Sequence, residues 1–207
     1  MRLAAVFLLT VAGAIAQNAS RMEITLERRD GNAWKSVDPG LVLAAKERVR
    51  FRFKSNFKGY LYVTNHSTSG TSTLLFPRQD TGSMNQIDAG KEYVVPATQG
   101  AFRVEGPEGY DVISWMVSPV VLAAPSLPER AEPTASVETR VEMKPRCDDS
   151  IFKARGDCVD TAAGPKSQPA DTPSRELVFM RQKNSSVIAS PIPLKGPVVY
   201  EFRLAHR

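Results

Sequence analysis

The sequence predicts an all-β protein: an antiparallel β-sandwich, immunoglobulin-like or related, with a long proline-rich insertion before the last strands. Three observations predict it. Apolar and polar residues alternate with a period of two along the first half of the chain, as in strands with one buried face. Turn-forming residues separate these runs about every ten residues. Alternating apolar residues return near residue 200 and have to be buried against another element.

The chain begins with the three parts of a secretory signal peptide. Arg2 supplies a positive charge, an uncharged apolar run follows from Leu3, and a small-x-small cleavage site ends at Ala16. The alternative is an anchored membrane helix, but the apolar run is shorter than the roughly 20 residues that cross a bilayer. We therefore expect residues 1–16 to be a signal peptide and the mature protein to be periplasmic or extracellular, without a membrane span.

Residues 17–118 are predicted to form the first part of the sandwich. The alternation is cleanest in the run 48–54, where Val49, Phe51 and Phe53 point to one face and arginine and lysine point to the other. The other strand-like runs before residue 119 are 22–29, 59–65, 73–76, 92–95, 101–106 and 111–118.

The composition changes after these runs. Residues 119–175 hold eight of the fifteen prolines and few large apolar residues, so most of this segment is predicted to be an extended, mobile excursion. Two strand-like runs follow, at 176–182 and 197–206. Because the second has a continuous apolar face, residues 176–207 are predicted to return to the sheet and complete the sandwich.

Cys147 and Cys158 form an even pair of cysteines. In an exported chain such a pair favours a disulfide. The bridge would close a short loop and contribute about 2–3 kcal/mol to its local stability. A short helical turn is expected within this loop, around residues 150–154. The alternative is a metal pair, but zinc sites need four ligands and the sequence offers only His66 and His206 besides the cysteines. No cofactor is expected.

Two features support the alternative of a hydrolase. Asp80 opens an Asp-Thr-Gly-Ser stretch of the kind that aspartic proteases use twice, because their two carboxylates share a proton. Here it occurs once, and the favoured interpretation is a turn in which Asp80 accepts hydrogen bonds and Gly82 takes a positive φ. His66 lies in a polar loop, and no Gly-x-Ser-x-Gly elbow marks a serine nucleophile. We therefore assign no catalytic residue.

The cysteine loop contains two weaker binding motifs. Arg-Gly-Asp at 155–157 is a short tripeptide that binds integrins when a disulfide presents it, and it is common by chance. Calcium is the other candidate, but the carboxylates lack EF-hand spacing. They are Asp148, Asp149, Asp157 and Asp160.

Arg48, Arg50, Arg52 and Lys54 form a basic stripe on one predicted strand. One interpretation is attraction to an anionic partner such as a cell-wall polymer or lipopolysaccharide. The favoured interpretation is an ordinary solvated sheet face with glutamates opposite. The net charge of +5 is too small and too dispersed for a dedicated nucleic-acid binder.

Several spaced elements resemble the bacterial family catalogued as domain of unknown function 4384. They occur in order over about residues 40–118: Gly-Tyr-Leu-Tyr-Val at 59–63, Leu-Phe-Pro at 75–77, Asn85, Ala-Gly at 89–90 and Phe-x-Val-x-Gly-Pro-x-Gly at 102–109. The resemblance implies a small β-rich module of exported proteins with no known activity and no catalytic residues to carry over.

These features favour a secreted, non-enzymatic module that binds a protein partner or a cell-envelope component. The alternatives are a hydrolase that uses Asp80 or His66 and a passive structural envelope protein. Convergence of His66, a carboxylate and a hydroxyl in one cleft would favour the hydrolase.

Overall fold

A computed structural model describes residues 19–79, 81–98, 100–122, 144–147, 157–167, 177–190 and 196–207. In this part of the chain there is no helix, and strands form two antiparallel sheets that pack face to face. The predicted all-β sandwich is confirmed. The expected signal peptide, Asp80 and the helical turn around 150–154 lie outside the described residues.

The first sheet has seven strands in the described residues. They are β1 (Ser20–Asp30), β2 (Ala33–Ser36), β3 (Arg48–Ser55), β7 (Glu92–Val95), β8 (Phe102–Arg103), β11 (Val178–Arg181) and β12 (Ser186–Ser190). Their order is β11-β12-β1-β3-β7, with β2 paired to β1 and β8 paired to β3. The sheet therefore joins strands from both ends of the sequence.

The second sheet has six strands in the described residues. They are β4 (Gly59–His66), β5 (Ser72–Phe76), β6 (Gln86–Ile87), β9 (Gly109–Ser118), β10 (Gly164–Ser167) and β13 (Val198–His206). Their order is β10-β13-β9-β4-β5, and β6 pairs with β4. Strand β13 thus lies inside this sheet, hydrogen-bonded on both sides.

An aromatic cluster fills the space between the sheets. The ring of Phe51 on β3 lies edge-on to Trp115 on β9 at 5.3 Å and to Phe202 on β13 at 5.2 Å between centroids. Trp115 also stacks with Phe53 at 5.7 Å and with Tyr200 at 6.5 Å. All five side chains are fully buried. The face predicted from the alternation in β3 is therefore the core face.

Part of the proline-rich segment packs against the sandwich. Val42 donates its backbone N–H to the Cys158 carbonyl at 2.8 Å, and Val159 forms a β-bridge with Leu41. Residues 164–167 then pair with β13 as β10. The sequence predicted no strand here, because Gly-Pro-Lys-Ser has no apolar alternation and its pairing depends on a neighbour distant in sequence.

Strands β2, β6 and β12 were also absent from the sequence prediction, and β8 is shorter than the predicted run. Strand β12 is Ser-Val-Ile-Ala-Ser, and its residues 186–188 are all buried. Both faces of this strand are covered at that point, so it shows no alternation. The period-two signal is clearest in strands with one solvent-facing side.

Gly40 lies where the chain 157–163 meets the turn before β3, and it has no room for a side chain. A Cβ there would stand 2.6 Å from the Asp160 carbonyl oxygen and 2.7 Å from Arg181 Nη2. Because the first of these atoms belongs to the backbone, we expect Gly40→Ala to lower the free energy of unfolding by about 1–3 kcal/mol. Equilibrium urea unfolding would measure this change.

Gly70→Ala is the control variant for Gly40→Ala. It adds the same Cβ at a position where no other atom lies within 4 Å. Its φ of 82° adds backbone strain, so this variant has a cost of its own. A Gly40→Ala protein as stable as the wild type would show that the contact between Gly40 and Asp160 is not tight in solution.

Candidate functional site

The centre of the predicted basic stripe is neutralised by one buried carboxylate. Glu27 on β1 lies 2.6 Å from Arg50 Nε and 3.2 Å from Arg52 Nε, and its side chain is 6% exposed. Arg52 also reaches Glu92 on β7 at 3.4 Å. A buried carboxylate needs such partners, since burying an unpaired charge is costly. Arg50 and Arg52 therefore stabilise the sheet.

Trp34 on β2 covers the same outer face. The guanidinium carbon of Arg50 lies 4.4 Å from the centre of the Trp34 ring, and that of Arg29 lies 5.8 Å from it. These are cation–π distances. Lys54, at the other end of the stripe, stands opposite Glu23 and Glu92 in the strand register.

Arg48 belongs to a different environment, an open recess of about 330 Å³ at the beginning of β3. Arg29, Lys46 and Arg48 line it, together with Glu47 and Gly31. The Glu47 carboxylate is bound to Arg28 at 3.4 Å and to the Ala44 N–H at 2.9 Å. Within the described residues, neither Lys46 nor Arg48 forms an ion pair. We call this surface the basic recess.

The strand register brings a further arginine to the basic recess. Arg48 and Arg103 are directly opposite each other in the β3–β8 pair. Like charges in such positions destabilise a sheet. Lys46 has a φ of 71°, a left-handed conformation that is uncommon outside glycine and clusters at functional sites. The recess thus combines unneutralised charge with backbone strain.

His66 lies at the end of β4, where its Nδ1 is 2.9 Å from Ser72 Oγ on β5. In the described part of the chain, no carboxylate forms an ion pair or hydrogen bond with this imidazole. A histidine and a hydroxyl therefore meet, without a carboxylate from the described residues as the third member of a triad.

The stretch after Asp80 forms a turn. Arg78 donates its N–H to the Gly82 carbonyl at 2.8 Å, Thr81 donates its hydroxyl to the Leu75 carbonyl, and Gly82 has a φ of 116°. These contacts hold residues 81–82 against β5. The Asp80 side chain itself lies outside the described residues.

Cys147 and Cys158 form a disulfide, as predicted. Of the Arg-Gly-Asp motif only Asp157 lies within the described residues, and it is exposed; Asp148 and Asp149 are outside them. The described residues contain no group of three or more histidines, cysteines or acids placed to hold a metal.

Asp160 joins the disulfide-bonded segment to the sandwich. Its carboxylate accepts hydrogen bonds from the Tyr110 hydroxyl, the Arg146 N–H at 2.6 Å and the Ala162 N–H at 2.7 Å. Burial alone would raise the pKa of the Asp160 carboxyl, but these hydrogen bonds outweigh it and the pKa is lowered. Burial and this carboxylate raise the pKa of Tyr110.

The sequence motifs that resemble the DUF4384 family can be located on the strands. Residues 59–63 are the first part of β4, residues 75–77 end β5, and residues 102–109 run from β8 to the beginning of β9. Residues 42–120 match the family model described as Domain of unknown function (DUF4384). This segment is similar to the DUF4384 family. No curated protein and no solved structure is similar enough to the chain to match it.

The DUF4384 segment covers β3 to β9 and leaves six strands outside it. It supplies Lys46, Arg48 and Arg103 of the basic recess, and Arg29 comes from β1. No helix in the described residues has the length and apolar character to cross a membrane.

A buried polar cluster at one end of the core was missed by the sequence reasoning. Asn65, Asp111 and His206 occupy inward positions at the same end of β4, β9 and β13. His206 Nε2 lies 3.5 Å from Asp111 Oδ1, which accepts the Thr68 N–H at 2.9 Å. Among the described residues, Asn65 Oδ1, Thr68 Oγ1 and His206 Nε2 have no hydrogen-bond partner.

This cluster contains an acid and a base, but His206 is only 1% exposed. Thr68, in the loop after His66, lies against Gly106 and Gly109 and is joined to the cluster through its N–H bond to Asp111. The detectable signal is a polar residue at an inward position on each of three neighbouring strands. It becomes visible only when the order of the strands is known.

Proposed function

We propose that this protein is an exported, non-enzymatic binding module whose basic recess holds an anionic partner, either an acidic protein segment or a cell-envelope polymer. The observation that carries the proposal is the convergence of Arg29, Lys46, Arg48 and Arg103 without a matching set of acids. Glu105 pairs with Arg103 at 3.4 Å, and in the part of the chain that the structure describes the other three cations form no ion pair with an acid.

The contrast within one strand supports the recess over the stripe as a whole. Arg50 and Arg52 share Glu27, whereas Arg48 faces another arginine. Two arginines in facing positions do not stabilise the sheet. An anionic ligand bound between them would relieve their repulsion, which supports a binding role for these arginines. The non-enzymatic part is supported by the His66–Ser72 pair, which lacks a carboxylate among the described residues.

Export is supported by the signal-peptide pattern of residues 1–16 and by the disulfide. Disulfides persist in oxidising compartments outside the cytoplasm. The bridge lies close to Asp160, so it fixes a segment that packs on the sandwich.

We expect Arg48→Gln to weaken binding to an anionic polymer about three- to tenfold at low salt, and to weaken it less as salt is raised. Polyglutamate and polygalacturonate are suitable probes for an acidic protein and an acidic polysaccharide, and affinity is measured by titration at several salt concentrations. The thermal stability of the variant is expected to be equal to or slightly above that of the wild type, because a like-charge pair is removed.

Lys54→Gln is the matched control, since it removes one positive charge from the same face of β3 outside the recess. We expect it to leave the affinity nearly unchanged. Equal losses in the two variants would indicate diffuse charge attraction and contradict the proposed site, and absence of binding to either polymer would count against an anionic partner.

A further inference from the structure

The open edge of the sandwich holds a second, separate cavity. Strand β10 ends the second sheet and β11 ends the first, and between them lies a cleft of about 180 Å³. This volume accommodates a group of several non-hydrogen atoms. Lys166 contributes from β10, Phe179 and Arg181 from β11, and Ser186 from β12.

Ser186 supplies an unsatisfied polar atom in this cleft. The residue is 3% exposed, and its hydroxyl has no hydrogen-bond partner among the described residues. In the strand register it stands opposite Ile24 on one side and Arg181 on the other, so it shares their inward-facing side of the sheet. A buried hydroxyl without a hydrogen-bond partner destabilises the folded protein. A ligand in the cleft that accepted its hydrogen bond would remove this cost.

Two cations also line the cleft, one from each sheet. Lys166 Nζ donates one hydrogen bond, to the Thr161 carbonyl at 3.0 Å, and Arg181 Nη2 donates one to Asp38. An ammonium has three N–H donors and a guanidinium has five, so both keep donors free for a ligand. Burial and the nearby charges of Arg203 and Arg181 lower the pKa of Lys166. Asp160 acts on the pKa of Lys166 in the opposite direction, and Arg181 forms an ion pair with Asp38, so nearby acids compensate part of this positive charge.

The remaining wall is apolar. Phe179 is half-buried, and its ring packs edge-on against Tyr200 at 6.4 Å. Such a combination of an apolar wall with a few converging polar groups is typical of small-molecule sites.

We propose that this cleft binds a small oxyanion, the carboxylate or phosphate end of a small molecule, held by Ser186, Lys166 and Arg181. The hydroxyl of Ser186 donates to the anion, the two cations neutralise it, and Phe179 contacts the rest of the molecule. The site shares no residue with the basic recess and does not depend on the function proposed for it.

The test is calorimetric titration of the full-length, disulfide-intact protein with inorganic phosphate and with acetate, at constant ionic strength set with chloride. We expect saturable binding of at least one of them, weakened about tenfold or more by Ser186→Ala and by Lys166→Gln. Lys183→Gln removes a positive charge from the exposed turn between β11 and β12 and is expected to leave the affinity unchanged.

Three outcomes would overturn the proposal. The first is that neither anion shows saturable binding. The second is that Lys183→Gln and Lys166→Gln lose the same affinity. The third is that binding persists in Ser186→Ala but disappears in Arg48→Gln, which would place the anion in the basic recess. Ser186→Ala removes an unpaired hydroxyl, so the variant is expected to fold, and its thermal melt verifies this. Binding of just one of the two anions would support the proposal and identify the ligand class.

Discussion

Replacement of Phe51 by alanine is expected to lower the free energy of unfolding by about 3–5 kcal/mol. The ring is fully buried and lies edge-on to Trp115 and Phe202, so its loss opens a cavity where the two sheets meet. The neighbouring side chains cannot close that cavity, because Trp115 is itself fixed between Phe53 and Tyr200. Equilibrium unfolding in urea measures the change, provided that the slope of the unfolding free energy against urea concentration is the same in both proteins.

Lys54→Ala on the opposite face of the same strand is the matched control. It is exposed and is expected to change stability by less than about 0.5 kcal/mol. Arg50 is unsuitable for this comparison, because its removal would leave the buried Glu27 with one partner fewer. Similar losses for Phe51→Ala and Lys54→Ala would mean that the two faces of β3 have been exchanged.

Asp160→Asn is expected to cost about 2–4 kcal/mol near neutral pH. The carboxylate accepts three hydrogen bonds, and hydrogen bonds to a charged acceptor are about twice as strong as those between neutral groups. An asparagine of the same size offers one acceptor oxygen, and its amide would face an N–H donor. Thermal or urea unfolding of the oxidised protein measures the loss.

The cost of Asp160→Asn is also expected to depend on pH with a definite sign. Because the pKa of Asp160 is lowered in the folded protein, its contribution is fully present above the unfolded value of about 3.9. It is lost as the pH falls through the folded value. The difference between wild type and variant should therefore be constant from about pH 5 to pH 8 and shrink below about pH 4.

Asp157→Asn provides the control for this pH series. Asp157 lies in the same segment but is exposed, and its replacement is expected to change stability little at any pH. A cost for Asp160→Asn that stayed constant down to pH 3 would show that the charge of the carboxylate does not contribute.

Strands of the first half such as β3 could be predicted because one face is buried and the other is accessible to solvent. In β3 the arginines and phenylalanines alternate without interruption, and β7 begins and ends at the predicted residues 92 and 95. Strand β13 was predicted from one apolar face, although the other is largely buried too. The sandwich architecture follows from these periodicities and from the turns between them.

The candidate sites could not be predicted in the same way, because they depend on strand order. Arg48 differs from Arg50 only through its neighbours, an arginine on β8 and not a glutamate on β1. Ser186 and Lys166 line one cleft although they belong to different sheets, and neither belongs to a recognisable motif. Local pattern identifies which residues face inward, whereas register and sheet order decide which of them meet.

The position of β13 determines when the interior can close during folding. Strand β9 ends at Ser118, but β13, its neighbour in the sheet, begins at Val198. Before β13 docks, Phe51 has no Phe202 and Trp115 has no Tyr200 to pack against. The step that closes this seam therefore joins segments far apart in sequence, which slows folding.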